Sequence, residues 1–452
     1  MGIDVKLDLM RYEEKYMNKV DEQFEFNKLN FLCFFQNQII HDKKNREKKN
    51  IQYTDCFKSA FNALVNKNYI EAKTACKSLR KKSLQWLLYF EFEFYCNVFK
   101  ERIPSKDNIA SVFGFSPKRY ENFIQKVTVK LPKNRFAEQS YNEFLNFKTK
   151  EDSYKRFPVK NIAICATMSA GKSTFVNALL GKDVLPARNE GTTAKITSVY
   201  DKDGSKNLIG FVEKNSNIEN LCLDANLSTI NSWNNDAETN RIFLQGDLDG
   251  IGNKGLIVAV HDTPGTNNSG DRNHHKITMD FLTSQKLDAL IFVANATQLK
   301  TTDEHALLKE IFEKVVKQNN LPVIFVLNKA DELDSEKENI SEIITEYGKY
   351  LSEIGFEIPK VFPVSSKAAR ILKMAMKDFG DKFTESECDA FPSIVKKFSK
   401  RLILDNSNYD NDNNVSQIAV DGETYESSLL QSALIHSGIN KIEKEIELIV
   451  RR

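Results

Sequence analysis

Ala166-Thr167-Met168-Ser169-Ala170-Gly171-Lys172-Ser173-Thr174 is the stretch whose reading decides the fold. The apolar run Ile162-Ala163-Ile164-Cys165 leads into it, and the helical pattern Phe175-Val176-Asn177-Ala178-Leu179-Leu180 leads out. Strand, loop and helix in that order make a phosphate-binding loop. Loop amides point at phosphate oxygens, the helix N-terminus adds about half a positive charge, and Lys172 supplies a point charge. The motif formula asks for glycine at the first position, where this chain has Ala166. Alanine is tolerated there provided its φ is negative.

The surrounding composition is that of an ordinary globular protein. The chain has 452 residues, 41% apolar and 28% charged, enough for two or three domains. A net charge of +2 excludes neither nucleic acid nor membrane, but it is unevenly spread: residues 1–150 carry 28 Lys+Arg against 18 Asp+Glu. That basic front half suits an acidic membrane surface or an acidic partner, and equally a plain solvated helical surface. Seven cysteines, odd in number and without C-x-x-C spacing, predict a reducing compartment, no disulfide framework and no zinc site. No signal-peptide pattern and no apolar run of roughly 18 residues is present. The expected location is the cytoplasm, with any membrane contact peripheral.

Residues 1–150 read as an all-α domain, a small bundle or short helical repeat. Phe57, Phe61, Leu64 and Val65 share one helical face, and Ala72, Ala75, Cys76 and Leu79 another, with a break at Asn66-Lys67-Asn68. From Val159 the pattern changes to apolar runs alternating with helices. The runs are 161–165, 196–200, 208–212, 256–260, 289–294, 323–327 and 361–364. Near-continuous runs of this kind predict strands buried on both faces of a mostly parallel sheet with flanking helices. Residues 151–452 are thus expected to form one α/β domain, with a loop-rich insertion at about 372–436. Within it, Asp410, Asp412 and Asn414 imitate the start of a calcium loop, but Val415 and Asp421 fall where glycine and glutamate are required, which rules that reading out. Ile439, Ile442, Ile446 and Ile449 predict an amphipathic last helix.

Four further elements follow the phosphate loop: Gly191-Thr192-Thr193-Ala194-Lys195, Asp262-Thr263-Pro264-Gly265, Asn328-Lys329-Ala330-Asp331, and Ser365-Ser366-Lys367. Each adjoins a strand-like run, so a parallel sheet would gather all five on one edge. Ser173 can place its hydroxyl on Mg²⁺, Thr193 (Thr192 is the alternative) can complete that shell, and Asp262 can hold the ion through water. The Gly265 amide can sense a γ-phosphate. The Asp331 carboxylate can accept two hydrogen bonds from guanine N1–H and its exocyclic amine; adenine lacks the amine and would leave a buried carboxylate unpaired. The Lys329 stem can lie over the base, Asn328 can brace the loops, and the Ser366 amide can meet guanine O6. The nucleotide-binding set is Met168, Ala170, Gly171, Lys172, Ser173, Thr174, Asp262, Gly265, Asn328, Lys329, Asp331, Ser365, Ser366 and Lys367. Its ligands would be GTP or GDP with Mg²⁺, and the metal set is Ser173, Thr193 and Asp262. A lone Asp-Thr-Pro-Gly is commonly a turn, and a lone Asn-Lys-x-Asp a modest coincidence. It is the ordered set of five that carries the inference.

Residues 159–452 resemble a translation-factor-class P-loop GTPase domain, specifically that of the dynamin superfamily in its bacterial form. Thr167 to Thr174, Asn189 to Lys195 and Asp262-Thr263-Pro264-Gly265-Thr266-Asn267-Asn268-Ser269 carry the likeness. The long interval between Lys172 and Asp262 fits the extra sheet of that superfamily. The resemblance implies a GTPase whose domains face each other in a nucleotide-dependent homodimer, and membrane-associated remodelling or assembly. It puts Ser169 where a loop serine compensates developing charge, making Ser169, Lys172 and Thr193 the catalytic set. Met168 stands where animal dynamins have glutamine, and a thioether donates no hydrogen bond. Thr266 stands beside the motif where Ras-like proteins carry their water-orienting glutamine. Dynamins that remodel membranes also have long helical stalks; here the residues outside the GTPase domain are the 150 or so at the front. The expectation is therefore either a remodelling GTPase whose stalk a partner chain supplies, or a slow GTP-gated switch or scaffold whose helical domain binds a protein. A ribosome-assembly role would want an RNA-binding module, and none is legible, so no nucleic acid partner is expected.

Overall fold

The computed structural model describes most of residues 156–451, apart from 187–194, 206–207, 216, 223, 253–254, 266–271, 335–337, 378–382 and 408–415. Before residue 156 it describes 59–64, 67–78, 88, 92, 106–114, 116, 119, 122, 150 and 153–154. The chain divides into two compact units, one comprising Gln23–Arg156 and the other containing Phe157–Arg452. Among the described residues no helix is long and apolar enough to cross a membrane.

In the first unit the described elements are helical, including α1 (Tyr69–Ser78) and α2 (Lys106–Val112). Phe61 and Leu64, on the face the periodicity marks, are buried, as are Ala72 and Cys76; Phe57, Val65 and Leu79 lie outside the described residues. The turn falls where the sequence breaks: Lys67 adopts a left-handed φ of 59°, and the Asn68 side chain accepts from Glu71 N (3.2 Å) to start α1. Lys73 on α1 donates to Ser111 on α2 at 3.3 Å.

The second unit is built on a nine-stranded sheet in the order β4-β3-β5-β2-β6-β1-β7-β8-β9. The strands are β1 (Val159–Ala166), β2 (Ile196–Asp201), β3 (Ile209–Lys214), β4 (Asn217–Cys222), β5 (Thr239–Gly246), β6 (Ile257–Asp262), β7 (Ala289–Asn295), β8 (Val323–Asn328) and β9 (Lys360–Pro363). All seven expected apolar runs are strands. Pairing is parallel along β6–β1–β7–β8–β9 and across β2–β5. It is antiparallel across β2–β6 and along β5–β3–β4. The extra sheet expected between Lys172 and Asp262 is this antiparallel flank. The unexpected strands β4 and β5 carry polar residues at several positions, which dilutes their apolar signal.

Helices flank the sheet: α3 (Lys172–Leu180), α4 (Leu227–Asn235), α5 (Arg272–Ser284), α6 (Thr302–Ile311), α7 (Ile340–Ile354), α8 (Ser366–Met376), α9 (Glu385–Lys400), α10 (Ser427–His436) and α11 (Ile439–Val450). Their apolar faces close one continuous core over strands such as β7, in which every residue is buried. Thr301 accepts from Glu304 N (3.2 Å) to start α6. The Glu304 carboxylate reaches back to Lys300 N (3.2 Å) rather than to Thr301 N, and takes the Tyr347 hydroxyl at 3.1 Å.

The loop-rich insertion expected at 372–436 is corrected. Most of it is ordered structure: the end of α8, all of α9 and α10, and a hairpin of β10 (Gln417–Val420) and β11 (Glu423–Glu426). Thr384 and Glu387 form a capping box on α9, and Phe391, Val395 and Phe398 bury one face of it, with Pro392 accommodated on the exposed side. The hairpin turns at Asp421-Gly422, both at positive φ (49° and 79°), as a two-residue primed turn demands. Asp410, Asp412, Asn414 and Val415 lie outside the described residues.

Candidate functional site

Parallel pairing puts the C-terminal ends of β6, β1, β7, β8 and β9 on one edge of the sheet. The loop from Thr167 follows β1, Asp262 ends β6, Asn328 ends β8, and Ser365 follows β9. Because β2 runs antiparallel to β6, with Thr197 opposite Asp262, Lys195, just before β2, lies on that same edge. Thr192, Thr193 and Thr266 lie outside the described residues.

Ala166 closes β1 in the extended conformation, without positive φ, which removes the demand for glycine there. Two later loop residues do turn left-handed, Ser169 (φ 61°) and Gly171 (φ 83°). At Gly171 the requirement is double, since a Cβ would also stand 2.3 Å from Asn328 Nδ2. Gly171 is the N-cap of α3 and leaves that helix N-terminus facing the loop. Met168 and Ser169 are exposed, Met168 to 42%, whereas Ala170 is buried and Ser173 and Thr174 are half-buried.

Asp262 is completely buried. Its Oδ1 forms an ion pair with Lys172, itself 7% exposed, and its Oδ2 accepts from Ser173 Oγ at 3.4 Å. Thr263 locks the turn beyond it, donating through Oγ1 to Ile164 O (2.8 Å). Pro264 is buried and Gly265 half-buried. Hydroxyl and carboxylate side by side are a hard oxygen donor pair that fits a hard divalent cation. Behind this pair, burial pushes the Cys165 thiol up to about 12, so it is an inert core group despite its nearness to Lys172. His261, next to Asp262 but on the opposite face of β6, is neutral, with burial and Arg241 lowering it to about 3. Its ring bonds Ser198 Oγ (2.9 Å) and Asn161 Oδ1 (3.1 Å), tying β6 to β2 and β1.

Asn328 joins the two ends of the crevice. Its Nδ2 donates to Ala170 O (2.8 Å), and its Oδ1 accepts from Ser366 N (3.1 Å). The bracing expected of Asn328 is thereby explicit. It also changes the expectation for the Ser366 amide: that donor is committed to Asn328, and the Lys367 amide is the first-turn N–H of α8 that remains. Ser365 caps α8, accepting from Ala368 N at 3.3 Å, and both serines are buried while Lys367 is exposed. Lys329 is left-handed (φ 62°) and half-buried, which turns the chain into the short helical turn Ala330–Glu332. The half-buried Asp331 holds a carboxylate with no hydrogen bond or ion pair to another described residue.

Two residues that matter to the site escape a motif search. Asn177, fully buried in α3, donates to Leu185 O (2.7 Å) and accepts from the amides of Val184 (3.2 Å) and Leu185 (2.8 Å), fixing the chain that leads toward residue 191. A lone asparagine inside Phe175–Leu180 was the available signal. Lys397 on α9 donates to Asp331 O at 2.5 Å. No local pattern announces that contact.

A family model matches the stretch that runs from β1 to the loop after β8: residues 162–330 match the model described as Dynamin family. A curated relative, described as an uncharacterized protein in the xynA 3′ region of Caldicellulosiruptor sp. (strain Rt8B.4), is 27% identical over 248 residues, 53% of this chain. The chain spans 56% of that relative's length. Among solved structures, a chain from an oligomerised bacterial dynamin pair aligns over 78% of this chain and 71% of its own, at 20% identity and a TM-score of 0.37. Era from Aquifex aeolicus aligns over 51% of this chain and 58% of its own, at 20% identity and a TM-score of 0.28. Toc33 from Arabidopsis thaliana aligns over 68% and 90%, at 13% identity and a TM-score of 0.33.

Proposed function

We propose that the protein binds GTP with Mg²⁺ and hydrolyses it to GDP and phosphate, in a cycle stimulated when two GTPase domains face each other. The Asn328 bridge carries the reading: one side chain holds both the phosphate loop, at Ala170, and the start of α8, at Ser366. In this reading the amides from Ser169 to Thr174 and the Lys172 ammonium bind the phosphates, and Asp331 selects guanine. Ser173 and Asp262 hold the ion with Thr193. When bound, it neutralises charge on the β- and γ-phosphate oxygens. Lys172 must then leave Asp262 for the phosphates. Ser169, left-handed and exposed, offers the loop's hydroxyl to charge that develops during transfer.

Met168 favours a second reading. An exposed thioether offers no donor to orient water, which suits a slow, GTP-gated switch whose helical unit captures a protein partner. Peripheral membrane contact and a partner chain that supplies a stalk belong to the first reading. GTP turnover measured against protein concentration, with and without anionic liposomes, separates the two. Turnover per molecule that rises with concentration, together with lipid pelleting, is the expected result. Flat, slow turnover with GTP-dependent partner capture would replace the first reading with the second.

A further inference from the structure

The loop from Asn328 to Asp331 is held by three main-chain bonds close to the motif. Ala296 N donates to Asn328 O (2.9 Å), Ala330 N to Val364 O (3.2 Å), and Glu332 N to Lys329 O (3.0 Å). A further attachment, beyond these and the Asn328 side-chain bonds, comes from 66 residues away, where the half-buried Lys397 ammonium donates to Asp331 O at 2.5 Å. The Lys397 ammonium has no other hydrogen-bond or ion-pair partner among the described residues.

We infer that Lys397 is a positioning residue for recognition of the guanine base, acting through the main chain of Asp331. This deepens the proposed function and rests on its assignment of Asp331 to the base. A carboxylate that accepts from two adjacent N–H groups must sit within about half an ångström of the right place. The residue before the short turn, Lys329, is a non-glycine residue at φ 62°, a conformation that persists only where surrounding contacts enforce it. A charge-assisted bond to the carbonyl of Asp331 fixes that main chain and leaves the carboxylate itself open.

Lys397 projects from a rigid element. Phe391, Val395 and Phe398 bury the inner face of α9. Glu387 of α9 is ion-paired with Arg370 of α8, and His436 of α10 bonds Phe398 O at 2.7 Å. The helices after β9 therefore set the geometry of a loop whose motif lies before them. The neighbouring Lys396 is exposed and serves as a control.

The test is a set of equilibrium dissociation constants for GTP, for ITP, which lacks the exocyclic amine, and for inorganic tripolyphosphate. The proteins are the full chain and its Lys397→Met, Lys397→Arg, Lys396→Met, Asp331→Asn and Lys397→Met/Asp331→Asn variants. Lys397→Met is expected to weaken GTP by about 5–10-fold, to narrow the GTP-to-ITP preference and to leave tripolyphosphate unchanged. Lys397→Arg retains most of the wild-type affinity, and Lys396→Met all of it. Asp331→Asn weakens GTP on the order of 100-fold, and adding Lys397→Met to it costs no further affinity. Equal weakening of GTP and tripolyphosphate by Lys397→Met, full additivity in the double variant, or no effect of Lys397→Met would each overturn the inference while leaving the base assignment standing. Unchanged GTP affinity in Asp331→Asn would overturn the base assignment and the inference together.

Discussion

At the proposed phosphate end of the crevice, Lys172, Ser173 and Asp262 already satisfy one another, and they stand on adjoining elements of the sheet edge, α3 and β6. At the proposed base end, the Asp331 carboxylate has no partner among the described residues, and its main chain is tied to Lys397 of a helix that follows the whole parallel sheet. One end is built mainly by a strand, a left-handed loop and a helix N-terminus in unbroken succession, with Asp262 brought to it from β6. The other is assembled from segments far apart in the chain. The difference teaches that, in the proposed function, phosphate grip and base choice would rest on separable parts of the molecule, joined by Asn328.

The largest expected effect comes from disturbing that joint from the phosphate side. Gly171→Ala forces alanine into φ 83° and drives its Cβ to 2.3 Å from Asn328 Nδ2. Isothermal titration should show nucleotide affinity falling about 100-fold or more, for GTP and tripolyphosphate alike. Retained affinity would mean that the loop can be built without the Gly171–Asn328 fit. Next comes Asn328→Ala, which leaves Ala170 O and Ser366 N without their partner. Urea denaturation should report a loss of about 2–3 kcal/mol, and both ends of the nucleotide should bind more weakly. A variant impaired only toward the base would show that the two ends are not mechanically joined.

The smallest effect sharpens the contrast by acting at the opposite edge of the sheet, where β2 ends. Burial there raises the Asp201 carboxyl to about 8, even with the Leu248 amide donating to it at 2.8 Å. A carboxyl whose folded value lies above its unfolded one stabilises the fold below about pH 4 and loses that contribution as pH rises through 8. Asp201→Asn should therefore match the wild-type melting midpoint near pH 4 and exceed it by a few degrees above pH 8, with GTP affinity unchanged. A constant offset across pH would remove Asp201 as the source of that dependence.

Legibility followed the range of the interactions. The central strands β1, β7 and β8 were readable because burial on both faces demands continuous apolar runs. The hairpin was carried by Asp421-Gly422, a signal easily passed over beside an acidic, asparagine-rich stretch. Strands β4 and β5 were illegible because polar residues interrupt their runs. Helix α9 was obscured by Pro392, which breaks a helix in most contexts but is tolerated here on the exposed side.

By itself, then, the sequence determined the α/β class, the position of the strand–loop–helix unit around Thr167 to Thr174 and the set of motifs on one sheet edge. Each depends on residues within a turn or a strand of one another, where periodicity and backbone sterics act directly. Only the tertiary structure decided that Ser366 gives its amide to Asn328, that Lys172 rests on Asp262, and that Lys397 holds Asp331. Those partners are separated by 38, 90 and 66 residues. Nothing in the local pattern fixes such a distance; packing the helices against the sheet does.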